Sequence, residues 1–215
     1  MKQITVDTFG YDELPADIQK KVLERHFNIN LDFEWWDSTY DWFKEIADTI
    51  GIEVDLKKSY FRGFYSQGDG SSFTASVDLL ELIAGIQAER WKENWPQLEL
   101  TLPSPTLPAR ILALIQKGFI TVTIQVLPNW RDTSIKVETF IDFEYNACKN
   151  YTQVEAALNQ LEEWITKVCE AMNRLFYRLL RDDSDYLSSS EAIEETIRAK
   201  DYSFTSIGRR CAPLP

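Results

Sequence analysis

The chain has 215 residues, of which 44% are hydrophobic and 27% charged, proportions that are typical of a folded globular protein and exclude general disorder. No apolar stretch approaches the roughly 20 residues that cross a bilayer, and the N-terminus lacks the apolar run of a signal peptide, so we expect a cytosolic protein without membrane contact. The formal net charge of −11 disfavours direct nucleic-acid binding, since basic residues occur only as isolated pairs, Lys20-Lys21, Lys57-Lys58 and Arg209-Arg210.

The first half of the chain is predicted to form helices around one β-hairpin. Its predicted elements are, in chain order, a strand over 2–9, helices over 14–27 and 33–50, strands over 52–65 and 71–78, a helix over 79–93 and a proline-rich connector over 96–108. Between the two later strands, Gly68-Asp69-Gly70 permits the positive φ angles of a tight turn. This turn predicts that the strands pair antiparallel to each other.

The second half is predicted to contain another hairpin and a long helix. Its elements are a helix over 107–117, strands over 119–127 and 134–143, a helix over 151–181, a last helix from Ser188 and a short strand over 202–204. Apolar residues recur at steps of three and four along 151–181, and Ser188 with Glu191 fits a capping box. Because no βαβ repeat occurs, we predict a single α+β domain over residues 1–215, an antiparallel sheet from two hairpins covered by helices.

Residues that carry nucleophilic or metal chemistry are few. Cys148, Cys169 and Cys211 are far apart and odd in number, so they predict buried structural thiols and not a disulfide framework or a metal site. His26 is the only histidine, and its place near a helix end favours a structural role there. We therefore expect no catalytic residue, no metal and no cofactor, although carboxylates are abundant.

The turn of the first hairpin is one candidate site. Ser66, Gln67 and Asp69 come together beside two glycines, which let a backbone approach a ligand closely, and Arg62 lies at the end of the strand before them. The alternative is a purely structural turn in which Asp69 accepts hydrogen bonds from its own backbone. The turn alone does not require this Ser-Gln pair, so both interpretations stay open.

The acidic second helix is the other candidate site. Asp37, Asp41, Glu45 and Asp48 follow one another at steps of four, four and three, which places them on one face of the predicted helix. Like charges at this spacing weaken a helix, and this cost suggests a basic partner. The alternative is an ordinary solvated helix face, and the sequence does not decide between the two.

Several segments together resemble one family of phage and prophage proteins. The most specific is Gly63-Phe64-Tyr65-Ser66-Gln67-Gly68-Asp69-Gly70-Ser71-Ser72-Phe73, preceded by Tyr11-Asp12-Glu13-Leu14 and Trp36-Asp37-Ser38 and followed near the end by Tyr186-Leu187-Ser188-Ser189 and Tyr202-Ser203-Phe204-Thr205. The chain thus resembles the family labelled "antitoxin of toxin–antitoxin stability system". Where related sequences carry a histidine-containing strand, this chain has Thr121-Val122-Thr123-Ile124, so a histidine-dependent metal role does not carry over.

Two classes of function follow. The resemblance implies a phage-type accessory protein in a bacterial host cell, and the acidic helix suggests that it binds and blocks a host protein: a toxin, a CRISPR effector or another nucleic-acid-handling defence protein. Such a protein would be an anti-defence inhibitor, for example an anti-CRISPR, or antitoxin-like. The alternative is a protein or enzyme that binds a nucleotide or phosphate at the hairpin. A homodimer is compatible with either class.

Overall fold

A computed structural model of the chain describes residues 7–129, 131–143 and 151–211, which form two compact units. The central unit comprises residues 38–180, and the terminal unit combines residues up to 37 with residues from 181 onward. None of the helices in these ranges is both long and apolar enough to cross a membrane.

The central unit contains a four-stranded antiparallel sheet. Its strands are β1 (Ile52–Arg62), β2 (Gly70–Val77), β3 (Ile120–Asn129) and β4 (Ser134–Phe143), and they are hydrogen-bonded in the order β1-β2-β3-β4. β1 with β2 and β3 with β4 form the two predicted hairpins, and β2 joins β3 at the centre. The predicted α+β class with an antiparallel sheet of two hairpins is therefore confirmed.

The sheet buries apolar side chains on one face because apolar and polar residues alternate along the strands. In β2, Phe73, Ala75 and Val77 are buried, and the last two face Val126 and Ile124 of β3. Ser76, between Ala75 and Val77, points to the other side and is exposed, and Thr74 is partly exposed. One face of the sheet is thus core and the other is a polar surface.

Five helices carry residues of the central unit: α2 (Asp37–Asp48), α3 (Leu79–Gln87), α4 (Trp91–Asn94), α5 (Ala109–Gln116) and α6 (Thr152–Leu187). The ring of Phe176 on α6 stacks on Phe43 of α2 with 4.4 Å between centroids, and Phe43 lies 5.2 Å from Phe73 of the sheet. α6 confirms the long C-terminal helix that the apolar periodicity of 151–181 predicted. The three rings join α2, α6 and β2 in one aromatic core.

Several element boundaries differ from the predictions. The helix predicted over 33–50 begins only at Asp37, and the helix predicted over 79–93 is divided into α3 and α4. Glu89 has a φ of +48°, and the amide of Arg90 returns to the carbonyl of Gly85 at 3.1 Å, which is how an α-helix ends. Without a glycine at Glu89, the sequence has no signal for this break.

The terminal unit is built from both ends of the chain. It contains a 3₁₀ turn (Tyr11–Glu13), α1 (Ala16–Arg25) and α7 (Ser190–Ala199), which share a small core. The fully buried or nearly buried residues of this core are Tyr11, Leu14, Val22, Ile193, Ile197 and Phe204. Asn30 links the two ends of the chain. Its amide nitrogen donates to the carbonyl of Leu187 at 3.0 Å, and its oxygen accepts from Thr196 Oγ1 at 2.8 Å.

The predictions for the chain ends need correction. α6 continues to Leu187 and not only to 181, and the cap of α7 is Ser189, whose hydroxyl accepts from the amide of Ala192 at 3.2 Å, so the predicted capping box at Ser188 does not form. Most of the strand predicted over 2–9 lies outside the described residues. Phe9 forms only an isolated bridge with Phe204.

Candidate functional site

The loop of the first hairpin is held together by Asp69. Its Oδ2 atom accepts hydrogen bonds from the backbone amides of Tyr65 at 2.8 Å and Ser66 at 2.5 Å. Gly63 has a φ of +50°, and a Cβ atom at this position would lie 2.6 Å from Asp69 Oδ1. The carboxylate therefore organises the loop, and Gly63 leaves the space that it occupies.

The residues after the loop fix it to the central unit. Ser71 is buried, and its hydroxyl lies 3.0 Å from Asn173 Oδ1, while Asn173 Nδ2 donates to the carbonyl of Ser71 at 2.8 Å. On the other side of the loop, Phe64 stacks on Phe61 at 5.5 Å and contacts the ring of Tyr177 at 5.6 Å. Within residues 63–73, Phe64, Asp69 and Ser71 thus have structural roles.

The loop leaves three consecutive side chains at its tip. Ser66 and Gln67 are exposed, and Tyr65 is 80% exposed. Arg62 is also exposed, at the end of β1 opposite Gly70. The structure therefore brings the predicted hairpin residues into one region, but it turns Asp69 inward to its own backbone and leaves the others facing solvent.

All four predicted carboxylates of α2 lie on the solvent side of the helix. Asp37, Asp41, Glu45 and Asp48 are exposed, and the helix is fixed from beneath by buried residues such as Phe43. Asp48 differs from the others because its Oδ2 atom lies 2.6 Å from Lys44 Nζ. The acidic face, which we define as Asp37, Asp41 and Glu45, forms no ion pair with any residue that the structure describes.

An exposed aromatic residue adjoins the acidic face. Trp42 is 37% exposed, and helical geometry places it next to Glu45, three residues further along. Phe43, Ile46 and Ala47 on the opposite side are fully buried. The acidic face and Trp42 thus lie on a helix whose opposite side is buried, and a partner could use the indole as an anchor.

A groove in the central unit brings together basic residues that lie far apart in the sequence. It has a volume of about 660 Å³ and is lined by Lys92 on α4, by Arg174 and Arg178 on α6, and by the segment 98–101. We predicted only isolated basic pairs, and this groove corrects that expectation. The one signal in the sequence is the four-residue spacing of the two arginines, which places them on the same side of a helix.

The three cations of the groove differ in their partners. Arg178 donates to the carbonyl of Glu99, and Lys92 Nζ lies 2.7 Å from Glu89. Glu99 approaches Arg178 only to 4.0 Å, and its carboxylate is 92% exposed. Arg174 has no ion pair within the described part of the chain. Arg174 is therefore the cation of this groove whose charge no described carboxylate neutralises.

The remaining reactive side chains have structural surroundings. His26 Nδ1 lies 2.8 Å from the carbonyl of Val22, and its ring meets the edge of Phe204. Burial raises the pKa of the Cys169 thiol to about 12, so this thiol stays protonated. Cys211 is half-buried, and Cys148 lies outside the described residues. Within the described ranges, no three His, Cys, Asp or Glu side chains come together as a metal would require.

Comparison with known proteins identifies a family but no function. A family described as "Domain of unknown function (DUF8835)" matches residues 35–190. No curated protein and no solved structure matches the chain. The matched range includes the hairpin loop, the acidic face and the basic groove, and it contains the whole central unit.

Proposed function

We propose that this chain, which belongs to the DUF8835 family, is a phage-type accessory protein that binds and inhibits a host or mobile-element factor through the acidic face of α2. The partner would be a toxin or a nucleic-acid-handling defence protein such as a CRISPR effector. The activity would then be anti-defence, as in an anti-CRISPR, or antitoxin-like. The resemblance to phage proteins labelled as antitoxins supports this biological setting.

The observation that carries the proposal is the acidic face itself. Asp37, Asp41 and Glu45 repeat every four residues on a helix, a rise of about 6 Å, which gives a row of negative charges comparable to a nucleic-acid backbone. No described cation neutralises this row, and the underlying side chains are buried, so the charges keep their arrangement. A basic surface that binds phosphates would be complementary to it.

The test begins with the partner and then measures its kinetics. The wild-type chain is used to capture proteins from a bacterial host lysate, and a captured nucleic-acid-binding protein or toxin is purified. Its association with wild type is compared with that of the variant Asp37→Asn/Asp41→Asn/Glu45→Gln over a series of salt concentrations. We expect the variant to associate more slowly, with the difference shrinking above about 0.15 M salt, where screening acts within about 8 Å.

The matched control removes the same charge from other exposed helix positions, in the variant Glu24→Gln/Glu170→Gln/Glu195→Gln. It should bind like wild type, and duplex DNA or RNA should compete with wild type for the partner. The proposal fails if the α2 variant associates as fast as wild type at low salt. It also fails if the association rate falls by the same amount in both triple variants, since the effect would then come from net charge alone.

The second candidate function is binding of a nucleotide or phosphate. We expected this ligand at the hairpin, but Asp69 is occupied by its own loop, and the basic groove supplies better chemistry. Arg174 and Arg178 can bind a phosphate through paired N–H donors, and Leu98 and Leu100 offer apolar contact. Calorimetry with ATP, GTP and inorganic phosphate tests this candidate. Arg174→Gln should abolish any binding, whereas Gln67→Ala should leave it unchanged.

A further inference from the structure

The two edges of the sheet are protected very differently. β1 is irregular, because Asp55 faces Thr74 while Tyr60 faces Ser72, so that extra residues of β1 bulge out between them. Lys57 and Lys58 stand in this bulge, and both are exposed. A bulge and edge lysines are the usual devices that prevent a strand from pairing with another chain.

β4 at the opposite edge has no such irregularity. It pairs with β3 in continuous register from Ser134 to Phe143, and no strand among the described residues pairs with its outer side. It contains no proline, and Lys136 is its only basic residue. A long edge strand in regular register presents a row of backbone donors and acceptors, which pairing with another strand satisfies.

We propose that β4 pairs antiparallel with the β4 strand of a second copy, so that two sheets join into one of eight strands. Such an interface is isologous, because a two-fold axis relates the two copies. A residue a given number of positions before the axis therefore faces the residue the same number of positions after it in the second copy. Of the registers that oppose no like charges, the one with Thr139 on the axis pairs the longest stretch of β4, residues 135–143. In the single chain, Lys136 Nζ lies 2.7 Å from Glu138 on the same strand. With Thr139 on the axis, Lys136 also faces Asp142 of the second copy, and the same contact occurs twice.

The neighbouring registers are disfavoured by charge. An axis at Glu138 would place two Glu138 carboxylates opposite each other, and an axis at Phe140 would place Glu138 opposite Asp142. Like charges directly across two strands are destabilising, and opposite charges are stabilising. The register at Thr139 avoids both repulsions and pairs nearly the full length of β4.

The same register covers apolar surface that is exposed in the single chain. Phe140 is 59% exposed on the polar face of the sheet. In the pair it faces Glu138 of the second copy and lies diagonal to Phe140 of that copy, within reach of an aromatic side chain. On the other face, half-buried Val137 meets half-buried Ile141 of the second copy. The Val137–Ile141 pairs and the diagonal Phe140 pair therefore cover apolar surface in the same register as the Lys136–Asp142 pairs.

The test measures association of the full-length chain by analytical ultracentrifugation. Wild type should form a concentration-dependent dimer. Lys136→Glu and Asp142→Lys should each weaken the dimer by about tenfold or more, since each places like charges at both copies of the contact. The double variant Lys136→Glu/Asp142→Lys should recover most of the lost affinity. A wild type that stays monomeric at all concentrations, or single variants that dimerise like wild type, would overturn the proposal.

A covalent test examines the register independently. In the proposed pair, the two Thr139 side chains face each other, so Thr139→Cys should form a disulfide-linked dimer under mild oxidation. Val137→Cys is the matched control on the same face, and its thiol faces Ile141 instead. Wild type, which retains the native cysteines, gives the background. Equal crosslinking of the two variants contradicts the register, and so does an absence of crosslinking by Thr139→Cys.

Discussion

At the scale of single residues, the contacts of Asp69 distinguish the part of the hairpin loop that holds the turn from the exposed tip. A short acidic residue beside glycines is as typical of a self-capping turn as of a ligand site. The two hydrogen bonds that Asp69 accepts from Tyr65 and Ser66 assign its carboxylate to the turn. Gln67 makes no comparable contact within the described residues and remains a candidate for binding a partner or ligand.

This difference predicts opposite effects of two substitutions. Asp69→Ala should lower the free energy of unfolding by about 1 kcal/mol, since two backbone amides lose their acceptor. Gln67→Ala should change it by less than about 0.5 kcal/mol, as expected for an exposed side chain. Urea denaturation measures both. If Gln67→Ala destabilises the protein as much as Asp69→Ala does, the tip of the loop is structural as well.

Cys169 predicts a dependence of stability on alkaline pH. Burial raises the pKa of its thiol to about 12 in the folded protein, above the value in the unfolded chain. The stabilisation is complete below the unfolded pKa and is lost as pH rises, because the unfolded state gives up its proton first. The free energy of unfolding of wild type should therefore fall above about pH 9. That of Cys169→Ala should fall less steeply, because the variant lacks this thiol.

Thiol labelling provides the complementary measurement for Cys169. In the native protein at mildly alkaline pH, iodoacetamide should modify half-buried Cys211 and not Cys169, because only an accessible thiolate reacts. Peptide mass spectrometry identifies the modified residue. Rapid native labelling of Cys169 would show that its surroundings open readily.

At the scale of elements, α2 has buried apolar residues on one side and carboxylates that repel one another on the other. Phe43, Ile46 and Ala47 hold the helix in the core, whereas Asp37, Asp41 and Glu45 repel one another along the exposed side. Asp37 in the first turn also gains from the helix dipole, so its charge is partly favourable. Asp41 in the middle has an acidic neighbour on either side, and it bears most of the repulsion.

Asp41→Asn should therefore raise the free energy of unfolding by a few tenths of a kcal/mol, because it removes two like-charge contacts. The gain should vanish near 1 M salt, where the screening length is about 3 Å. Thermal denaturation at low and high salt measures the difference. A loss of stability at low salt would mean that Asp41 has a stabilising partner and that the acidic face is not repulsive.

At the scale of the whole molecule, the family match and the division into units nearly coincide. The family covers residues 35–190, which include all of the central unit, while most of the terminal unit lies outside the match. The terminal unit has its own small core around Phe204, whose backbone pairs with Phe9 through two hydrogen bonds of 2.8 Å. Its stability therefore depends on few residues.

Phe204→Ala should destabilise the terminal unit by about 3–5 kcal/mol, since the ring is fully buried. Hydrogen exchange should then increase at Phe9 and along α1 and α7, as local opening becomes easier. Amides of β2 and β3 should retain the protection that they have in wild type. Equal loss of protection in the sheet would show that the two units unfold together.

Local sequence patterns determined which elements this protein forms. β-branched alternation predicted β3, the glycine-bounded turn predicted the first hairpin, and apolar residues at helical spacing predicted α6. Each of these signals depends on neighbours along the chain, so it can be seen in the sequence. The acidic face was predictable for the same reason, since residues four apart on a helix always lie together.

Tertiary structure decided what those elements bring together. Lys92 meets Arg174 and Arg178 only because α4 and α6 fold against one groove, and Ser71 meets Asn173 only through packing of β2 on α6. The end of α3 near Glu89 could likewise not be predicted, because no glycine marks it in the sequence. Contacts between distant residues depend on the arrangement of elements in space, which local periodicity does not encode.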